Sequence, residues 1–229
     1  MSRAWSWIVS GAALLVASAT GTEPAHAQRP LEVTVGAHVG GSIFSEFLEQ
    51  RANGGERELV AKTSPTIGGS IALTKWDLSE VRLSADWSGT EIEFQDDSGD
   101  DSDALDEEGL ADVNLVLAQL AIVRHIMARD APISPYLLLG MNLGVWALDE
   151  DAGGEIGAEE ETQLRFGAST GIGMRFAASP RMGFRVEIDR STIGNPFDGK
   201  NAYRVGGDTF DEPSTLGVLR LLAGLAYTF

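Results

Sequence analysis

From residue 31 onward, apolar and polar residues alternate in one segment after another. A period of two is the mark of a strand whose faces meet different surroundings. The clearest run is 162–176. Leu164, Phe166, Ala168, Ile172, Met174 and Phe176 share one face. Arg165, Gly167, Ser169, Gly171, Gly173 and Arg175 share the other. In the next run Met182, Phe184, Val186 and Ile188 alternate with Gly183, Arg185, Glu187 and Asp189. The last run sets Leu219, Leu221, Ala223, Leu225, Tyr227 and Phe229 against Val218, Arg220, Leu222, Gly224, Ala226 and Thr228.

The pattern predicts eight strands near 31–43, 66–76, 80–90, 112–126, 135–148, 162–177, 181–190 and 217–229. The fourth alternates poorly. Leu115-Val116-Leu117 and Leu120-Ala121-Ile122-Val123 are continuous apolar runs, so a face-switching bulge or a short buried helix is expected there. Short links at 77–79, 127–134 and 178–180 alternate with long ones at 44–65, 91–111, 149–161 and 191–216. Short turns at one end and long loops at the other belong to transmembrane barrels. An even strand count puts both termini on the short-turn, periplasmic side.

Which face is inside decides between a membrane barrel and a soluble one. The polar face carries Gly140, Gly144, Gly167, Gly171, Gly173, Gly183 and Gly224. Glycine weakens a strand and gains nothing on a wet outer surface, but inside a narrow barrel it makes room for long side chains. The apolar rows span about ten residues, enough for a tilted strand to cross the hydrocarbon. Aromatic residues sit near strand ends: Trp87 and Trp146 toward the long loops, Trp76, Tyr136, Phe176, Tyr227 and Phe229 toward the short turns. They are expected to form the two interfacial girdles.

The first residues add a compartment. Arg3, the apolar run Trp7 to Ala19 and Ala25-His26-Ala27 read as a secretory signal peptide over 1–27, leaving 28–229 as the barrel domain. Cysteine is absent, which excludes a lipid-anchoring cysteine and any disulfide or thiol chemistry.

The terminal Leu225-Ala226-Tyr227-Thr228-Phe229 and the opening Ser134-Pro135-Tyr136-Leu137-Leu138-Leu139-Gly140 carry a family resemblance. The chain resembles the small eight-stranded outer-membrane barrels of the OmpX, OmpW and OmpA-barrel group. That resemblance implies an all-β, single eight-stranded antiparallel up-and-down barrel in the outer membrane of a Gram-negative-type bacterium. It also implies outer-membrane lipids as surroundings, and Tyr227 and Phe229 as a signal read by the barrel-insertion machinery.

Inward parity collects Glu32, Arg82, Asp86, Arg124, Arg165, Arg175, Arg185, Glu187, Asp189 and Arg220. Enclosed charges need partners, and Arg forks match carboxylates. These residues are expected to form a bridged network filling the lumen, since eight strands leave an interior just wide enough for side chains. An ion-selective channel is the functional alternative.

No catalytic, cofactor or metal residue is expected. A lipid-modifying barrel would use a His and a Ser, as His-x-Ser in a deacylase, but the sequence reads His38-Val39-Gly40 and His125-Ile126-Met127. The net charge of -17 concentrates in the long links and argues against nucleic acid. The 91–112 stretch holds eleven acidic residues and no Lys or Arg. Its Asp-rich core lacks the order of a calcium loop, so a solvated loop is the expectation there, with weak divalent-cation binding as the alternative. A non-enzymatic structural or surface-interaction barrel is therefore the leading reading. A narrow pore for small or hydrophobic solutes comes second and a lipid-modifying enzyme third.

Overall fold

The computed structural model describes residues 31–45, 48–52, 55–76, 78–96, 111–128, 131–149, 162–194, 204–205, 208–209 and 215–229. Eight long strands close into one antiparallel barrel: β1 (Glu32–Phe44), β2 (Ser64–Trp76), β3 (Ser79–Asp96), β4 (Ala111–His125), β5 (Ile133–Asp149), β6 (Thr162–Ala177), β7 (Met182–Gly194) and β8 (Thr215–Thr228). Each pairs with its neighbours in sequence, and β8 closes the ring on β1. Closure leaves no open edge among the eight, which is what a strand-built structure in lipid requires. The proposed signal segment 1–27 lies outside the described residues.

The stagger can be read from the register. Thr34 pairs with Ala72, and the partners continue through Arg82, Ala121, Gly140, Ser169, Ser191 and Val218 to Phe44. One circuit therefore climbs from residue 34 to residue 44 of β1. A ten-residue shear over eight strands tilts the strands by about 40°. In such a barrel Glu32, Thr34, Glu80, His125, Tyr136 and Arg185 lie at the short-turn end. Phe44, Leu115, Trp146, Ile193 and Val218 lie at the long-loop end.

The outer face is apolar. Val35, Val39, Ile67, Ile71, Leu83, Leu120, Leu137, Ile172, Ile188 and Leu225 are all exposed, Phe166 at 80% and Leu221 at 57%. Among these rows Arg190 also faces outward. The space beside Gly217, at the loop end, lies 3.8 Å from an Arg190 Nη, so the side chain reaches up toward that rim. Long basic side chains do this to keep their charge in water.

Four expectations change. The fourth strand carries no bulge and no helix. It pairs without interruption with β3 and β5. Its alternation fails because Val113, Leu115, Leu117, Ala121 and Val123 on its inner face are themselves apolar. Second, Trp146 and Tyr136 do not join the girdles. They point inward and are 0% and 1% exposed. Trp87, Tyr227 and Phe229 do face out, while the side chain of Trp76 lies outside the described residues. Third, the link 44–65 is not structureless. Strands Leu48–Ala52 and Gly55–Ala61 form a hairpin, and the second pairs with residues 92–96. Fourth, β3 therefore runs to Asp96 rather than 90. The acidic stretches 97–110 and 150–161 and most of 195–214 lie outside the described residues.

Candidate functional site

The described interior has two zones. The half toward the short turns is charged. Arg82 Nη1 donates to Glu187 Oε2 at 2.6 Å, while its Nη2 and Nε donate to Glu80 Oε1 at 2.7 and 3.1 Å. The Tyr136 hydroxyl also donates to Glu187 Oε2, at 2.6 Å. Above this, Arg220 spans two strands. Its Nη1 donates to Asp86 Oδ2 at 2.7 Å, and its Nε and Nη2 form a fork on Asp189 at 2.9 and 2.7 Å. Bidentate, charge-assisted contacts of this kind are the strong ones. Asp86 is also bonded to His38 Nε2. Because Arg185 Nη2 donates to His38 Nδ1 at 2.9 Å, the network assigns the ring proton to Nε2. Arg185 donates as well to Ser70 Oγ at 3.0 Å.

The structure thus brings Arg82, Asp86, Arg185, Glu187, Asp189 and Arg220 together. Glu32 and Arg175 have inward parity at the short-turn end and are half-buried. Arg165 stands apart at the loop end, where its Nη2 donates to Gln163 Oε1 at 2.8 Å. Arg124 does not enter the lumen. Without a bulge it keeps the outward parity of Leu120 and Ile122, and its Nη1 donates to Ser79 Oγ at 2.6 Å.

Glycines make the space. Tyr136 lies opposite Gly173, and a Cβ on Gly173 would fall 2.2 Å from Tyr136 Cζ. A Cβ on Gly68 would fall among Asp86, His38 and the Ala85 carbonyl, and one on Gly171 would meet Asp189. Long polar side chains fold over strand positions that carry no side chain of their own.

Sequence reasoning missed Glu80, His38, His125 and Tyr136 as network members. Glu80 lies two residues before Arg82 within the predicted 80–90 strand, so its inward parity was already readable. His125 Nδ1 lies 3.0 Å from Ser134 Oγ, and its Nε2 lies 3.7 Å from Glu80 Oε2. The order Ser, His, acid looks like a nucleophile relay. Ser134 is fully buried, however, and donates to the Met127 carbonyl at 3.2 Å, so the group ties down the β4–β5 turn.

The loop-side half is built differently. Phe44, Val113, Leu115, Leu117, Trp146, Ile193, Leu216 and Val218 are buried there, with Phe44 and Trp146 rings 6.3 Å apart. On the β1–β3 wall the hydroxyls of Ser42, Thr66 and Ser88 bond to one another at 2.6 to 3.3 Å. Asn142 and Ser191 are buried nearby, and their side-chain polar atoms have no protein partner among the described residues. Water completes such groups in native interiors. No cluster able to hold a metal ion occurs among the described residues.

Comparison with known proteins matches residues 12–219 to the outer membrane protein beta-barrel domain family. No curated protein matches the sequence. Among solved structures, the chain is similar to the outer membrane protein OprG from Pseudomonas aeruginosa, at 14% identity and a TM-score of 0.61, covering 88% of this chain and 97% of that one. It is also similar to neisserial surface protein A, at 14% identity and a TM-score of 0.53, covering 88% and 100%. The third is the outer membrane protein AlkL in lipid bilayers, at 14% identity and a TM-score of 0.51, covering 91% and 94%.

Proposed function

The chain belongs to the outer membrane protein beta-barrel domain family and sits in the outer membrane, and we propose that it serves there as a non-enzymatic barrel of structural or surface-interaction type. The observation that carries this reading is the filled interior. Arg82 and Arg220 lock four carboxylates from β3 and β7 across the lumen. The void left within the charged half, about 20 Å³, holds one water-sized occupant. In this reading the ion pairs rigidify the wall, and the acidic long loops are the part that meets the outside. The segment 1–27 directs export and is removed. Both termini are periplasmic, and Tyr227 and Phe229 present the terminal strand to the insertion machinery. The loops collect divalent cations weakly.

A planar-bilayer recording on refolded protein tests the central claim. The expected trace shows no sustained unitary conductance in symmetric salt. Steady, ion-selective steps would replace the plug with a channel. Protease added to intact cells is expected to cut first within 97–110, more slowly in millimolar calcium. Protection of that stretch until the periplasm is opened would invert the topology.

A second reading, a passage for small hydrophobic solutes, is favoured by the loop-side half. There an apolar lining surrounds the unpartnered Asn142 amide and Ser191 hydroxyl, which would suit an amphipathic guest. Uptake of such a solute into vesicles carrying the protein, in the absence of ionic conductance, would select it.

A further inference from the structure

Arg190 stands in a row that faces lipid. Its ladder partners are Leu219 on β8 and Thr170 on β6, and Leu219 pairs in turn with Ile43 on β1. Leu219, Ile43 and the nearby Phe166 are all exposed on the outer face. A charge on the lipid face of a barrel destabilises it the more, the deeper it lies. An ionisable residue kept in such a place points to a function and to a partner.

The side chain reaches toward the long-loop rim. A Cβ on Gly217 would lie 3.8 Å from Arg190 Nη2 and 3.5 Å from Ser45 Oγ. Gly217 pairs with Thr192, two residues beyond Arg190 along β7. On strands tilted by about 40° that is about 5 Å nearer the rim. The side chain that Gly217 lacks therefore leaves a notch between a guanidinium group and a hydroxyl. Thr192 is exposed beside it. The Ser45 hydroxyl accepts from the Gly217 N–H at 2.8 Å, which leaves its own hydrogen available to donate. Among the described residues no hydrogen bond or ion pair holds the Arg190 guanidinium, and no carboxylate stands on the outward faces of β6, β7, β8 and β1 at this level.

The notch thus gathers donors and one positive charge at the edge of the apolar band. What surrounds it there is the headgroup layer of the membrane. Guanidinium forks match phosphate oxygens, and flanking hydroxyls add further donors. Water alone would leave the charge uncompensated at the border of the hydrocarbon.

We propose that Arg190, Ser45 and Thr192, grouped around Gly217, form a docking site for the phosphorylated headgroup of an outer-leaflet glycolipid, whose acyl chains lie along Leu219 and Ile43. The lipid is then a ligand of the folded barrel and stabilises it. The choice of leaflet rests on the reading that the long loops face outside.

The test uses the mature protein refolded in uncharged maltoside micelles. Lipid A is added in its bisphosphorylated form and in a dephosphorylated form. Native mass spectrometry of the wild type, which depends on no variant folding, is expected to show one bisphosphorylated molecule retained per barrel and none of the dephosphorylated form. The thermal unfolding midpoint should rise saturably by about 2–5 °C with the bisphosphorylated form alone. Arg190→Gln should lose this rise. Arg181→Gln, which removes an exposed cation from a short turn at the other end, should keep it. Equal retention of both forms would mean that acyl chains alone bind, and an equal rise with inorganic phosphate would mean a free anion; either overturns the proposal. So would a full rise in Arg190→Gln or a flat response in the wild type. The protease assay on intact cells tests orientation separately: an inverted barrel overturns the leaflet, a flat titration the contact.

Discussion

Replacing Glu187 by Gln changes one atom of the side chain and removes one charge from the middle of the lumen. Glu187 Oε2 accepts from Arg82 Nη1 and from the Tyr136 hydroxyl, both at 2.6 Å. The Gln amide oxygen can occupy the Oε2 position and accept both bonds, but it leaves the Arg82 guanidinium facing a neutral amide where it faced a carboxylate. Breaking an enclosed ion pair from one side typically costs about 3–5 kcal/mol. Arg82 retains Glu80, so the lower end applies and Glu187→Gln should cost about 3 kcal/mol. For a chain of this size that is a fall of about 6–12 °C in the unfolding midpoint. Urea unfolding of the protein in phospholipid vesicles, read by tryptophan fluorescence and by gel mobility, measures it. A double-mutant cycle with Arg82→Met separates the pair from its surroundings. The Gln and Met single variants should each be worse than additivity allows, and the double variant should recover part of the loss. A Glu187→Gln barrel within about 0.5 kcal/mol of wild type, with strictly additive singles, would mean that the charges are hydrated and screened. The filled-lumen reasoning would then fail.

Three further outcomes test other parts of the structure. Gly173→Ala should lower stability by about 1–3 kcal/mol through overpacking against Tyr136, and should cost nothing extra when added to Tyr136→Leu; equilibrium unfolding of the three variants checks this. Leu221→Arg, on the exposed outer face, should cost about 2–4 kcal/mol in lipid vesicles but little in a short-chain detergent micelle. Its neighbour Arg220 is inside, so the contrast also tests the assignment of faces. Deleting Phe229 should reduce the amount of protein in the outer membrane far more than the amount exported, as seen by fractionation.

The strand count, the closing order and the two faces were legible because seven segments separate lipid from a polar interior and so keep a clean period of two. The β4 segment hid its character because both of its faces are apolar where the loop-side interior is itself apolar. Arg124 was placed in the lumen for the same reason. With no bulge to switch faces, its parity follows Leu120 and Ile122 outward. Tyr136 and Trp146 show a different limit. An aromatic residue near a strand end fits the interfacial girdle and the lumen equally well by position alone. Parity along the continuous Ile133–Asp149 strand settles the matter: it places both with Leu138, Gly140 and Asn142, inside. Glu80 lay inside the predicted 80–90 strand with the parity of Arg82 and was passed over as its first residue. No sequence rule joins Arg220 to Asp86 across 134 positions, because that contact exists only after the wall has curved through its full circuit.

Arg220 also sets an order of events. It lies on β8, the last of the eight barrel strands in sequence, and both of its partners lie on strands that precede it. A seven-stranded sheet would hold Glu80, Asp86, Glu187 and Asp189 on its concave side with only Arg82 and Arg185 among the network's guanidinium groups. Asp189 would then lack the fork that holds it. The open sheet is therefore electrostatically incomplete on the side destined for the interior, and the missing positive charge arrives on the strand whose backbone seals the seam with β1. Sealing the seam and neutralising the lumen become a single event, which makes a partly closed barrel a poor resting place. The same arginine that fills the finished interior therefore finds both of its partners only in a barrel that has closed.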